Sequence, residues 1–90
     1  MTVMVDEVRQ WPTKIHHFKA GSAHLTTDGP LEELHALAES IGLRREWFQN
    51  GRVPHYDLTP ATREAALKAG AVHVGAREQA RRRLRHRGAR

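Results

Sequence analysis

Residues 28–42 read DGPLEELHALAESIG, and this stretch decides how the rest of the chain can fold. Its apolar residues recur at the spacing of an α-helix, which predicts that one helix face is buried. That face consists of Leu31, Leu34, Leu37, Ala38 and Ile41. Pro30 suits the first helical position because its missing N–H has no partner there, and Asp28 is predicted to cap the helix. Gly42 is a typical helix end. A helix with one apolar face needs an apolar surface, which the neighbouring segments are expected to supply.

Short segments on both sides of this helix have the pattern of β-strands. Apolar or alternating residues predict strands over residues 2–5, 22–27 and 71–74, with a further extended segment over 54–58. A second helix is predicted to run from its cap Thr59 to Gly70, with Pro60 at the first helical position. A third helix is predicted to follow Gly75.

The order of these elements, β-β-α-(β)-α-β-α, favours an α/β fold. A chain of 90 residues has room for one small domain with one modest core. We expect a short, mostly parallel or mixed sheet packed by two to three helices. In this interpretation residues 1–75 form the compact domain, and residues 76–90 form a basic C-terminal helix or tail of the same domain. The apolar stripe of that helix is narrow and could pack on its own domain or on a second copy, so a homo-oligomer stays open.

Positive charge is concentrated at the C-terminal end. The chain has a net charge of +5, and residues 77–90 hold seven arginines against one glutamate. Such a cluster can neutralise several phosphates in a non-specific, salt-dependent complex, so nucleic acid is an expected partner of residues 77–90. The arginines expected to bind phosphate are Arg81, Arg82, Arg83 and Arg85. The alternative is a solvated helix end, because cations suit a helix C-terminus.

Several classes of protein are excluded by composition. The chain has no cysteine, which rules out disulfides and thiolate metal sites. Its first seven residues have neither a basic segment nor a long apolar run, so no secretory signal is predicted. No stretch approaches the roughly 18 apolar residues of a membrane span. We therefore expect a cytoplasmic protein with no membrane partner.

His55, Tyr56 and Asp57 are the most concentrated group of polar side chains in an apolar setting. In an extended segment His55 and Asp57 share one face and Tyr56 lies on the other. Together with His24 or His35, the His/Asp pair could bind a divalent metal ion. It could instead act as a general base, with the imidazole oriented by the carboxylate. A third interpretation is a hydrogen-bonded loop that holds the second helix to the sheet.

Further polar residues lie where strands end or on the buried helix face. Asp6 follows the first predicted strand, and with Asp28 and Asp57 it could form an acidic cluster for Mg²⁺ or Mn²⁺ and phosphodiester cleavage. His24 and Asp28 flank a predicted strand end, where ligands collect in open α/β sheets. His35 lies on the apolar stripe of the first helix. It is either a core histidine bonded to a backbone carbonyl or a polar group at the floor of a pocket.

Seven short segments occur in an order that carries a family resemblance. They are MTVMVD (1–6), HLTTD (24–28), ELHALA (33–38), IGLRR (41–45), WFQ (47–49), HYDLT (55–59) and ALKAGAV (66–72). Over roughly residues 1–75 they resemble domain-of-unknown-function family 4031. The resemblance implies a small bacterial or phage protein and brings no established activity. It also implies that the polar residues of these segments belong to one recurring pattern, namely His24, Asp28, His35, Gln49, His55, Tyr56 and Asp57.

Three functions follow from these observations. The first is a nucleic-acid- or nucleotide-associated protein whose polar pocket receives a ligand while the arginines hold phosphate. The second is a metal-dependent hydrolase or nuclease, and the third is a non-catalytic interaction module. The candidate catalytic residues are His24, His35, His55 and Asp57. The candidate ligand-binding residues are Asp28, Gln49, Tyr56 and the four arginines named above. The candidate ligands of a divalent metal are Asp6, Asp28, His55 and Asp57.

Overall fold

A computed structural model describes residues 2–10 and 21–88, with side chains described as far as Arg82. The strands are β1 (Val3–Val5), β2 (Ala23–Thr27), β3 (Tyr56–Leu58) and β4 (Val72–His73), and the α-helices are α1 (Leu31–Ser40), α2 (Pro60–Lys68) and α3 (Ala76–Gly88). A short 3₁₀ turn at Arg45–Trp47 lies between α1 and β3. The predicted order of elements is confirmed. Within the described ranges, no helix has the length and apolar character needed to cross a bilayer.

The four strands form one mixed sheet in the order β3-β2-β1-β4. β2 pairs antiparallel with both β1 and β3, while β1 and β4 run parallel. The predicted α/β class and single small sheet are therefore confirmed, with antiparallel pairs outnumbering the parallel one. The register places His24 opposite Asp57 and Leu25 opposite Tyr56.

The two faces of the sheet differ in chemistry, because successive strand side chains point to opposite sides. The apolar face forms the core with α1 and α2, and its fully buried members include Val5, Leu25 and Leu58. Burying each such side chain contributes roughly 1.5–3 kcal/mol to folding. The other face carries His24, Thr26 and Asp57.

α3 covers part of this second face and is attached to it through polar contacts. Gln79 is only 3% exposed, and its amide oxygen accepts a 2.6 Å hydrogen bond from the Thr26 hydroxyl. Its Nε2 donates to the Val74 carbonyl at 2.8 Å. Ala76 and Ala80, from the predicted apolar stripe, are half-buried beside it. The start of α3 is thereby fixed over the polar face of the sheet.

The helix starts show one correct and one wrong prediction. α2 begins with Thr59 as its cap and Pro60 at the first helical position, as predicted. The Thr59 and Thr62 side chains also form a reciprocal capping box. The predicted start of α1 is wrong, because Pro30 rather than Asp28 lies at the cap position and Leu31 rather than Pro30 is the first helical residue. Asp28 instead extends the pairing of β1 and β2. Its amide donates to the Thr2 carbonyl at 3.2 Å, and its Oδ1 accepts from the Thr2 amide at 2.6 Å.

Candidate metal centre

Three side chains converge on the polar face of the sheet. His24 and Asp57 are cross-strand neighbours on β2 and β3, and His55 precedes β3 by one residue. The Asp57 Oδ1 atom lies 3.4 Å from His55 Nε2 and 3.8 Å from His24 Nε2. One ligand atom from each residue lies within 4.8 Å of the other two, and all three residues are half-buried. This arrangement brings His24, His55 and Asp57 together, as the hypothesis of a shared site required.

Asp6 fixes the orientation of the His24 ring. Its side chain is 7% exposed, and both carboxylate oxygens bind the same residue. Oδ1 accepts from the His24 backbone amide at 2.6 Å, and Oδ2 accepts from His24 Nδ1 at 2.8 Å. Because a carboxylate accepts hydrogen bonds, Nδ1 is the donor to Asp6, and Nε2 is the ring nitrogen that faces Asp57.

His55 and Asp57 are oriented in the same way by other groups. His55 Nδ1 donates to the Val53 carbonyl at 2.8 Å, so its Nε2 is also directed at Asp57 Oδ1. The Gln49 side-chain amide donates to Asp57 Oδ2 at 2.6 Å. Gln49 is itself held by two backbone hydrogen bonds with His55, of 2.9 and 3.1 Å. Each of the three converging residues therefore has its second polar atom bonded elsewhere.

The two separations at Asp57 Oδ1 are close to those between ligand atoms in a tetrahedral metal site. Zinc bonds of about 2.0–2.1 Å place the ligand atoms of a tetrahedron about 3.3 Å apart. The 3.4 Å and 3.8 Å separations at Asp57 Oδ1 differ from this by a few tenths of an ångström. The three ligand atoms lie within 4.8 Å of one another, so side-chain rotations are needed to bring all of them into bonding distance of one ion.

The pKa values of His55 and Asp57 move apart because the two groups interact. The hydrogen bond to Asp57 raises the pKa of His55, and burial opposes this shift. The hydrogen bond with His55 lowers the pKa of Asp57, again against burial, and the amide of Gln49 lowers it further. The ion-free pair therefore favours a protonated imidazole beside a carboxylate. A metal ion bound here would displace the imidazole proton, as ligand histidines must be neutral.

A cavity of about 330 Å³ opens beside the two histidines. Asp6, His24 and His55 line one side of it, and Ala76 and Gln79 of α3 line another. Arg9 contributes to the wall as well. The cavity lies between the polar face of the sheet and the start of α3, so a ligand entering it would reach the imidazoles.

His35 and Tyr56 lie away from this cluster. The alternation of β3 directs Tyr56 into the core, where it is fully buried, and burial raises the pKa of its hydroxyl. His35 Nδ1 and the Tyr56 hydroxyl share a 2.8 Å hydrogen bond, and the Phe48 ring lies 4.6 Å from the His35 ring. The expectation that His35 forms a wall of the polar pocket is therefore wrong. Its partner is also a buried hydroxyl rather than the backbone carbonyl considered for a core histidine.

Asp28 is placed at the opposite end of β2 from His24, so the expected cluster of Asp6, Asp28 and Asp57 does not form. Asp28 contacts Thr2 and lies 3.7 Å from Arg82 Nη1. Asp6 approaches the site through His24 and is directed at its Nδ1 atom, on the far side of the ring from Asp57.

The arginines expected to bind phosphate differ in availability. Arg82 reaches Asp28 and also donates to Glu78 at 3.4 Å. Arg81 is exposed, with its Nη1 3.5 Å from Glu78. The side chains of Arg83 and Arg85 lie outside the described residues.

Sequence reasoning missed the residues that orient and enclose the site. The Val53 group that orients His55 is a backbone carbonyl, which every residue has, so the residue type gives no indication of this role. Arg9 reaches the cavity because its backbone pairs with Ser22 beyond the end of β1, a long-range contact. Gln79 had a usable signal, since it lies between Ala76 and Ala80 on the stripe predicted to pack on its own domain or on a second copy.

Comparison with known proteins gives one finding. The model of a protein family described as "Protein of unknown function (DUF4031)" matches residues 3–87. Neither the curated proteins nor the solved structures give a match.

Proposed function

This chain belongs to the DUF4031 family, and we propose that it binds a divalent transition-metal ion through His24, His55 and Asp57 and acts as a metal-dependent hydrolase. One observation carries the proposal. The Nε2 atoms of both histidines and the Oδ1 atom of Asp57 converge, while the second polar atom of each side chain is already hydrogen-bonded. Outer hydrogen bonds of this kind are typical of histidine and carboxylate ligands in metal sites.

The donor set favours zinc and its neighbours over magnesium or calcium. Imidazole nitrogen suits zinc, iron, nickel and copper, whereas magnesium and calcium prefer oxygen ligands. Three protein ligands with a fourth position left for water are typical of catalytic zinc sites, whereas structural sites use four protein ligands. Since His24 and His55 both line the cavity, that fourth position would be reached from it.

The chemistry proposed for this site is hydrolysis. An ion held by His24, His55 and Asp57 would lower the pKa of a water ligand to about 7 and polarise the atom under attack. That water would give one proton to solvent, its oxygen would form a bond to the atom under attack as the bond to the leaving oxygen breaks, and the leaving oxygen would take a proton from solvent. Asp6 and the Val53 carbonyl hold the imidazoles in the required tautomer throughout. Gln49 holds the Asp57 carboxylate.

A thermal-shift series on the 90-residue chain tests the metal site. Three proteins are compared, namely the wild type, His55→Ala and His73→Ala. Each is treated with chelator, the chelator is removed, and the Tm is measured with zinc, manganese, iron(II) or magnesium added. His73 is the matched control because it is an exposed histidine on β4. Zinc should raise the Tm of the wild type and of His73→Ala but not that of His55→Ala. At a hundredfold excess over Kd, mass action alone stabilises by about 2.7 kcal/mol.

A different pattern would contradict the metal site. If no metal raises the Tm of the wild type while His55→Ala melts lower in chelator, the cluster serves as a structural ion pair. If the Tm of His55→Ala rises with zinc as much as that of the wild type, zinc binds at some other place.

A further inference from the structure

We infer that the substrate of this site is a phosphodiester of a single-stranded nucleic acid, bound by Arg9 at the cavity and by the exposed arginines of α3. The inference rests on the proposed metal site, because the metal would act on the phosphodiester that Arg9 positions. It adds the class of substrate and the surface along which the substrate lies.

Arg9 is a cation placed in the wall of the cavity. Its side chain is 53% exposed, and Nη2 donates to Glu7 Oε1 at 3.0 Å. The same Glu7 oxygen accepts from the Ala76 amide at 3.2 Å, so the guanidinium is tied to the start of α3. A guanidinium has five N–H donors in a planar fork that fits phosphate oxygens. One nitrogen engaged with Glu7 leaves the other donors to face a ligand.

α3 extends from the same cavity and carries more cations. Ala76 lines the cavity, and Arg77 and Arg81 follow on one side of the helix because residues four apart are neighbours. Both are exposed. The helix has 13 residues, which corresponds to a length of about 20 Å. A strand with one phosphate at the histidines would therefore have further phosphates alongside these arginines.

A nucleic acid fits this surface better than an anionic membrane does. Helices that lie on membranes bury a broad apolar face of leucine and aromatic residues. α3 contains one leucine and no aromatic residue, and its alanines Ala76 and Ala80 are half-buried against the body. A single strand is favoured over a duplex because it is flexible enough to bring one unstacked nucleotide into a cavity.

The arginine surface can be tested without the metal by measuring how labelled 12-nucleotide DNA and RNA strands bind in the presence of chelator. Fluorescence anisotropy reports the binding, and the measurement is repeated at several salt concentrations. The variants are Arg9→Gln and the double variant Arg77→Gln/Arg81→Gln. The matched control is Arg44→Gln/Lys68→Gln, which removes the same charge from exposed positions near the 3₁₀ turn and in the last turn of α2. The Tm of each variant confirms folding.

The expected result is a change in salt dependence. Each phosphate contact to a single strand contributes about 0.7 to the slope of log K against log salt. The α3 double variant should therefore lose about 1.4 of that slope, Arg9→Gln should lose about 0.7, and the control should match the wild type. With zinc or manganese added, the wild type should cleave the strand, and Arg9→Gln and His55→Ala should not.

Other outcomes would overturn the inference. A control that weakens binding as much as the α3 variant would mean that net charge alone binds the strand. Binding to phosphatidylglycerol vesicles but not to the strands would make the partner a membrane. Adenosine monophosphate that competes as well as a 12-mer would make the ligand a free nucleotide. Zinc binding by calorimetry without strand binding would leave the metal site in place and reject this substrate, whereas strand binding without zinc binding would reject the hydrolase.

Discussion

Asp6 is the residue on which the geometry of the site depends most. It is a buried carboxylate whose two oxygens hold the backbone and the ring of His24. The carboxylate binds the Nδ1 atom of the ring, so Nε2 is the nitrogen that remains to bind a metal ion. In this respect Asp6 acts through His24 and is a positioning residue.

The substitution Asp6→Asn should weaken zinc binding by about 10–100-fold, a typical effect of removing a carboxylate that orients a histidine ligand. The asparagine side chain has only one acceptor oxygen, so it cannot accept hydrogen bonds from both the backbone amide and the Nδ1 atom of His24 as the two carboxylate oxygens do. Calorimetric titration with zinc measures the loss. Asp28→Asn is the matched control, because Asp28 lies at the other end of β2, and its zinc affinity should equal that of the wild type. Equal zinc affinity in Asp6→Asn and the wild type would show that His24 needs no such orientation.

At the scale of elements, α3 is attached to the sheet by polar contacts. Gln79 links it to Thr26 and Val74, and Glu7 accepts from the Ala76 amide at its first turn. A carboxylate at a helix N-terminus is favoured by the helix dipole and satisfies an amide that has no partner within the helix. α3 forms one wall of the cavity, so these contacts also determine the shape of the cavity.

Attachment of α3 should depend on pH through Glu7. The hydrogen bond from the Ala76 amide lowers the pKa of this carboxyl from its ordinary value of 4.5. A group whose pKa is lower in the folded state stabilises the fold above its unfolded pKa, and this contribution disappears as pH falls through the folded pKa. The difference in unfolding free energy between the wild type and Glu7→Gln should therefore be constant near neutral pH and shrink below about pH 4.5. Urea denaturation across this range measures it, and a difference that grows on acidification would contradict the assignment.

At the scale of the whole molecule, the sheet separates a core from a site. Strand alternation could be predicted from the sequence, and it correctly placed His55 and Asp57 on one face and Tyr56 on the other. The pairing of His24 with Asp57 could not be predicted from the sequence, because strand register depends on contacts between residues far apart in the chain. The same limit explains His35, whose position on the apolar stripe was correct but whose partner on β3 was unknown. Asp28 was misjudged because the Asp-Gly-Pro sequence suits a helix start as well as a strand extension.

The metal site can be located directly by the anomalous scattering of zinc in a crystal of the 90-residue chain loaded with one equivalent of the metal. We expect one strong peak on the polar face of the sheet, about 2.0–2.2 Å from His24 Nε2, His55 Nε2 and Asp57 Oδ1. His24 Nδ1 should still donate to Asp6. A zinc peak bound by other residues, with His55 and Asp57 still paired directly, would contradict the proposed metal site.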